Sequence, residues 1–113
     1  MEIRTLPDGR QGFVCYSLGN FISSQTKPNT DTTAVLTLTL TRDNETGEAQ
    51  VADCGYIPLY MLHRAEGASP RFELVDIHAA LKTGEPGTAL RQKLDKALET
   101  CHAVLGEERD AGK

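Results

Sequence analysis

The sequence has no tryptophan, few other aromatic residues and no long apolar run. Three tyrosines and three phenylalanines occur among its 113 residues, and hydrophobic residues make up 39% of the chain. A membrane-spanning helix needs roughly 20 predominantly apolar residues in a row, and no window of the sequence approaches that length. We therefore expect a soluble globular protein with a single small core and no membrane-spanning segment.

A concentration of charge of one sign is also missing. Twelve Lys and Arg residues stand against 16 Asp and Glu residues, which gives a net charge of -4 with the signs mixed along the chain. Proteins that bind nucleic acid neutralise phosphates with clustered basic residues, and this chain has no such cluster. We therefore expect no nucleic-acid partner.

Cysteine is scarce and irregularly spaced. Cys15, Cys54 and Cys101 are an odd number at wide intervals, which fits neither a disulfide framework nor a zinc motif. At least one thiol is therefore free or bonded to another chain. Cys15 lies in an apolar run without an adjacent cation, so we interpret it as a buried, inert thiol.

Histidines are equally few. His63, His78 and His102 include no i, i+4 pair, and none is close in sequence to the Cys or carboxylate cluster that is typical of metal sites. We predict no metal site built from this chain alone. We place His78 and His102 on helix surfaces.

The most informative stretch is Phe13–Ile22, where an apolar, strand-like run stops at Gly19 and Asn20 and then resumes. Gly and Asn enter left-handed backbone conformations at the least cost, so this pattern predicts a strand that ends in a tight corner. Ser17 and Asn20 would then lie at the end of the strand. An ordinary turn explains the same residue types equally simply.

The run from Tyr16 to Phe21 closely resembles the hexapeptide YSLGNF of the bacterial poly-gamma-glutamate capsule synthesis proteins (CapA-like), a family with a metallophosphoesterase-like fold. All six positions match. In that family the hexapeptide follows a metal-binding Gly-His-His-Pro-His segment and a short Gln-Pro-(Met/Val)-Glu stretch. This chain opens Met1-Glu2-Ile3, as if inside the second of these. The resemblance is specific from Met1 to Gln25 and weak beyond.

The resemblance implies that the chain is the C-terminal part of a longer, metal-dependent, phosphoesterase-like enzyme of the bacterial envelope. The Asp, Asn and His metal ligands of such a fold would lie upstream, so this chain alone would be non-catalytic and without a cofactor, and its partner would be the missing upstream part. The alternative is a stand-alone, non-enzymatic binding module. By resemblance, the substrate-lining residues are Tyr16, Ser17, Gly19, Asn20 and Phe21.

Alternating and turn-forming residues predict an antiparallel sheet. In Ala34–Thr41, leucine alternates with threonine, which places Leu36, Leu38 and Leu40 toward a core. Pro58 removes a backbone donor, so Tyr56–Leu62 is expected as an edge strand or an irregular crossing. The other predicted elements are a turn at Leu6–Arg10 that joins a short strand to Phe13–Tyr16, a hairpin loop at Arg42–Gly47, a returning strand at Glu48–Tyr56 and a last strand at Arg71–Val75.

Two helices are predicted to follow the strands. Asp76 is a suitable N-cap for a helix that ends at Gly84, and Pro86 suits the first turn of a second helix. An apolar stripe marks that helix, which Gly106 should end; the stripe consists of Leu90, Leu94, Leu98, Cys101 and Leu105.

The expected architecture is therefore α+β, with a small antiparallel sheet of three to five strands and two C-terminal helices packed on one face. Residues 1–113 form one domain: a motif region (1–25), strands (34–75), helices (76–106) and a frayed tail (107–113). We expect Leu90–Leu105 to pack on Leu36–Leu40. An unpaired edge near Phe13–Ile22 should produce a homo-oligomer.

Overall fold

The computed structural model describes residues 1–16, 30–64, 71–84 and 87–113. The predicted α+β class is confirmed. The predicted helix start at Pro86 lies outside the described residues. The strands are β1 (Glu2–Thr5), β2 (Gln11–Val14), β3 (Thr32–Arg42), β4 (Ala49–Arg64) and β5 (Arg71–Asp76); the helices are α1 (Ile77–Thr83) and α2 (Thr88–Leu105), followed by a 3₁₀ helix at Glu107–Arg109.

The described strands form two antiparallel sheets. β1 and β2 form a two-stranded hairpin, and β3, β4 and β5 form a three-stranded sheet with β4 in the centre. Both predicted hairpin loops are present, and each contains a glycine with positive φ: Gly9 at 86° and Gly47 at 75°. Glycine has no Cβ, so it adopts this conformation without steric cost.

The long β3–β4 ladder contains a bulge. Leu38 pairs with Cys54 and Thr39 with Asp53, but Leu40 pairs with Val51, so Ala52 is the extra residue on β4. Bulges raise the local twist and shift the alternation of the strand that carries them. On β4, Val51 therefore lies opposite Leu40 on one side of the bulge, and Cys54 lies opposite Leu38 on the other.

The prediction that Pro58 lies in an edge strand or an irregular crossing is wrong, because β4 is continuous and central. The backbone explains why proline is tolerated. The Tyr56 carbonyl accepts the Ala111 amide on the side away from β3, and backbone groups two residues apart point the same way. The backbone nitrogen of Pro58 therefore points away from β3, toward the side of β4 that carries β5. Because β5 pairs with β4 only from Leu59 onward, the proline removes no hydrogen bond of the ladder.

The core lies between the helices and one face of β4. Its buried members come from β4, α1 and α2: Tyr60, Ile77, Leu94 and Ala97. The predicted helix stripe is confirmed, since Leu94 and Cys101 are buried and Leu90 and Leu98 pack against the core. Both predicted ends of α1 are confirmed as well. The Asp76 side chain accepts the Ala79 amide at 3.1 Å, and Gly84 is left-handed at φ 68°.

No described element covers the far half of the β3–β4 hairpin. Every residue from 38 to 50 is exposed, and Leu38 and Leu40 are 47% and 64% exposed. The prediction that they face a core, with α2 packed on them, is therefore wrong. Leu36, which pairs with Tyr56, is half-buried. Alternation defines which side chains share a face, and it does not define how far the helices extend over that face. We call residues 38–53 the arm.

The C-terminal tail is docked on β4, so the prediction of a frayed tail at 107–113 is wrong. Asp110 forms a parallel bridge with Tyr56, and the Ala111 amide donates to the Tyr56 carbonyl at 2.8 Å. The Tyr56 hydroxyl donates to the Gly106 carbonyl at 3.0 Å. The tail therefore occupies the side of β4 that β5 leaves open.

Candidate functional site

Of the predicted site residues, the structure describes Tyr16. The others, Ser17, Gly19, Asn20 and Phe21, lie outside the described residues. Tyr16 follows β2 and is 65% exposed. Its hydroxyl donates to Glu2 Oε1 at 2.9 Å and accepts from Arg4 Nη2 at 2.5 Å. The Arg4 guanidinium carbon also lies 6.0 Å from the Tyr16 ring centroid. We call Glu2, Arg4 and Tyr16 the hairpin cluster.

Hairpin register explains why these three residues meet. Glu2 pairs with Val14 and Arg4 with Gly12, and side chains two apart on a strand share a face. The Arg4 guanidinium therefore donates to the Glu2 carboxylate along β1. Tyr16, two residues beyond Val14, completes the cluster from the segment that follows β2.

Hydrogen bonds within the hairpin cluster favour a charged carboxylate beside a charged guanidinium and a neutral phenol, and all three groups remain in water. Hydrogen bonds from Tyr16 and then Arg4 lower the pKa of the Glu2 carboxyl, and the bond to Glu2 raises the pKa of the Tyr16 hydroxyl. The phenol is therefore a neutral donor, not an activated nucleophile. A carboxylate, a guanidinium and a phenol at one exposed strand end can orient a polar ligand.

A second cluster lies at the opposite end of the chain. Asp110 Oδ2 accepts from His78 Nε2 at 2.6 Å and from His102 Nε2 at 2.8 Å, and Oδ1 accepts the Gly112 amide at 3.0 Å. The Asp110 side chain is fully buried, and the two imidazoles are partly buried. We call His78, His102 and Asp110 the clasp, because it joins α1, α2 and the tail.

The clasp keeps its carboxylate ionised. Burial alone would raise the pKa of the Asp110 carboxyl, but the hydrogen bonds from His102, His78 and the Gly112 amide outweigh burial, and the pKa lies below its ordinary value. Nearby, burial and then the Asp110 charge raise the pKa of the Cys101 thiol to about 11. Cys101 is therefore protonated at neutral pH and is not a nucleophile.

The prediction that His78 and His102 lie on helix surfaces is wrong, because both rings turn inward to one carboxylate. The sequence signal is weak: two histidines on different helices and an aspartate after the last helix. Because the contacts depend on tail docking, no local spacing reveals them.

Chemically, the clasp joins segments and holds a charge. Within the part of the chain that the structure describes, no buried side-chain N or O atom lacks a hydrogen-bond partner. Across the same residues, no group of three His, Cys, Asp or Glu side chains is arranged to hold a metal ion.

The side chain of Arg109 also joins the tail to β4. The Arg109 Nη1 atom lies 2.7 Å from the Cys54 Sγ atom and 3.4 Å from the Cys54 carbonyl oxygen. The neighbouring Gly55 makes this approach possible, because a Cβ at that position would lie 2.9 Å from the Arg109 carbonyl oxygen. Cys54 and Cys101 are buried, whereas Cys15, which was expected to be buried, is only partly so; none of the three forms a disulfide.

Comparison with known proteins leaves the family open: no family model, curated protein or solved structure matches the chain. Among the described residues, no helix combines the length and the apolar character that crossing a membrane requires.

Proposed function

We propose that this chain is the C-terminal part of a capsule or poly-gamma-glutamate biosynthesis protein of the CapA-like family. In this proposal the chain is non-catalytic in isolation, and the parent is a metallophosphoesterase-like enzyme of the bacterial envelope. The divalent metal would be held by the parent's upstream residues. The role of this chain is to supply the substrate-lining hexapeptide that begins at Tyr16.

One observation supports the proposal most directly. The resemblance rests on two segments, the hexapeptide and a short upstream stretch that ends in Glu. In the structure, the Tyr16 hydroxyl of the first donates to the Glu2 carboxylate of the second at 2.9 Å. Segments that line one site must lie together, and these two are hydrogen-bonded at one end of the hairpin.

Phosphatase assays with Mn²⁺ test the division of roles. The genomic reading frame upstream of Met1 should encode a Gly-His-His-Pro-His-like segment, and the longer protein should hydrolyse a phosphomonoester that the 113-residue chain does not. Turnover by the isolated chain, or an upstream frame without metal ligands, would contradict the proposal.

A matched pair of variants tests the site within the longer protein. Tyr16→Phe removes the hydroxyl that contacts Glu2 and Arg4, and we expect about a tenfold loss of kcat/KM if one hydrogen bond to a charged group is lost. Asp8→Asn, which alters an exposed ion pair with Arg10 at the hairpin turn, is the control. Equal activity of both variants would remove Tyr16 from the site.

The alternative, a stand-alone binding module, is favoured by a different observation. The buried core of Tyr60, Ile77, Leu94 and Ala97 is closed by residues of this chain alone. Cooperative unfolding of the isolated chain, together with an upstream frame that encodes no related segment, would favour this alternative.

A further inference from the structure

The outer edge of β3 is long and uncharged, and no other described strand pairs with it. Residues 32–41 contain no charged side chain and no proline, and among the described residues β3 pairs with β4 alone. Exposed edges of this kind are templates for another strand, and proteins normally protect them with charges, proline or a covering element. The only charged residue of β3 is Arg42, at its end.

The arm is exposed and would gain stability from packing against another strand. It is a two-stranded ribbon with all residues from 38 to 50 exposed. Two-stranded ribbons are at best marginally stable in water, and further strands are needed for independent stability. The arm also exposes apolar side chains, since Leu38 and Leu40 are 47% and 64% accessible.

Backbone directions identify the groups at this edge. The Tyr56 carbonyl points away from β3 to Ala111, so Tyr56 and its partner Leu36 form a pair without mutual hydrogen bonds. The backbone groups of Leu36 therefore point to the free edge. By the two-residue period of a strand, those of Leu38 and Leu40 do so too.

We propose that this edge is a homodimer interface, in which β3 of one chain pairs antiparallel with β3 of a second copy about a two-fold axis at Leu38. In this register Leu38 faces Leu38 and Leu36 faces Leu40 of the second copy, and each pair joins residues whose backbone groups point outward. The result is a continuous six-stranded sheet.

Side chains make this register self-complementary. Leucines oppose leucines on one face, and Thr37 opposes Thr39 of the second copy on the other. Apolar pairs and Thr–Thr pairs are both favourable across antiparallel strands. Arg42 meets Ala34, so no like charges oppose each other. An isologous contact of this kind closes after two copies. The proposal does not depend on the proposed enzymatic parent.

This interface differs from the oligomer predicted near Phe13–Ile22, which stays a prediction because most of that stretch lies outside the described residues. A contact of one strand pair is smaller than the roughly 1,200 Å² of a stable interface. We therefore expect a weak dimer whose dissociation is visible across a dilution series.

Sedimentation equilibrium of the 113-residue chain over a dilution series tests the proposal. Leu38→Lys places two ammonium groups opposite each other at the axis and should raise the dissociation constant at least about tenfold. Val104→Lys is the matched control, because Val104 is 71% exposed on α2, and its dimer should be unchanged. Circular dichroism checks that each variant is folded.

Opposite charges at position 38 test the axis itself. Leu38→Lys and Leu38→Glu should each be monomeric alone and should associate when mixed. If Leu38→Lys is unfolded, the double variant Thr37→Lys/Thr39→Lys on the opposite face replaces it, because these two positions oppose each other across the axis and lysines would again face lysines. A wild-type chain that is monomeric at every concentration would overturn the proposal. So would a dimer that tolerates the lysine, or Lys and Glu variants that do not associate.

Discussion

Two carboxylates in this molecule each accept two side-chain donors, and their surroundings make them very different. Glu2 accepts from Tyr16 and Arg4 on the exposed hairpin, whereas Asp110 accepts from His78 and His102 with its side chain fully buried. Exposed ion pairs contribute little to stability, because water and salt screen them. A buried, ionised group is costly as soon as a partner is removed.

The comparison shows that the same hydrogen-bond pattern can stand in water at one end of the molecule and join buried segments at the other. The hairpin cluster leaves polar groups accessible to a ligand. The clasp instead holds three segments together, which are α1, α2 and the tail. Four predictions test this difference.

The largest effect is expected for Asp110→Asn. The substitution keeps the shape of the side chain and removes the charge that accepts from two imidazoles, so the free energy of unfolding should fall by about 2 to 4 kcal/mol. Urea denaturation measures it. Asp95→Asn on the exposed surface of α2 is the control and should have little effect. Equal stability of the two variants would mean that the clasp does not hold the tail.

At acidic pH the difference in the free energy of unfolding between the wild type and Asp110→Asn should disappear. The folded pKa of Asp110 lies below its ordinary value of 3.8, so its contribution is present above the unfolded pKa of about 3.9 and is lost as pH falls through the folded pKa. Urea denaturation between pH 5 and pH 2.5 should show the difference shrinking below about pH 4. A difference that grows toward acid would contradict this assignment.

Removal of one donor should have a smaller effect. His102→Ala leaves the Asp110 carboxylate with His78 and the Gly112 amide, and we expect a loss of about 1 to 2 kcal/mol. A double-mutant cycle with Asp110→Asn separates the hydrogen bond from lost packing. Additive losses in the cycle would show that the two side chains are not coupled.

The smallest effect is expected at the hairpin cluster. Tyr16→Phe removes an exposed hydroxyl, so thermal unfolding of the 113-residue chain should be unchanged within error. A clear loss of stability would show that this cluster serves cohesion as the clasp does, and the comparison would fail.

Most of the fold follows from local patterns in the sequence. The Leu–Thr alternation predicts β3, Asp76 and Gly84 predict the ends of α1, and the leucine stripe predicts the buried face of α2. These signals are local because caps and periodicity act within a few residues. The exposure of Leu38 and Leu40 was not predicted, since it depends on how far the helices reach over the sheet.

The sites were less predictable for the same reason. The hexapeptide identifies Tyr16 but not its contacts with Glu2 and Arg4, which depend on hairpin register. The clasp was missed because His78 and His102 have no shared local motif, and because the tail was read as frayed from its charges. Tail docking is a tertiary event that composition does not encode.

The contact between Tyr56 and the tail also bears on the order of folding. Tyr56 and Gly106 are 50 positions apart in the chain, whereas β3 and β4 are joined by a short loop. Closing a long loop costs entropy before its contacts form, so we expect the hairpin early and the tail after the rate-limiting step. Interactions made that late slow unfolding without speeding folding. The clasp would then act as a kinetic lock: each 2 kcal/mol it contributes lengthens the lifetime of the native state about thirtyfold, which stopped-flow unfolding of Asp110→Asn would reveal.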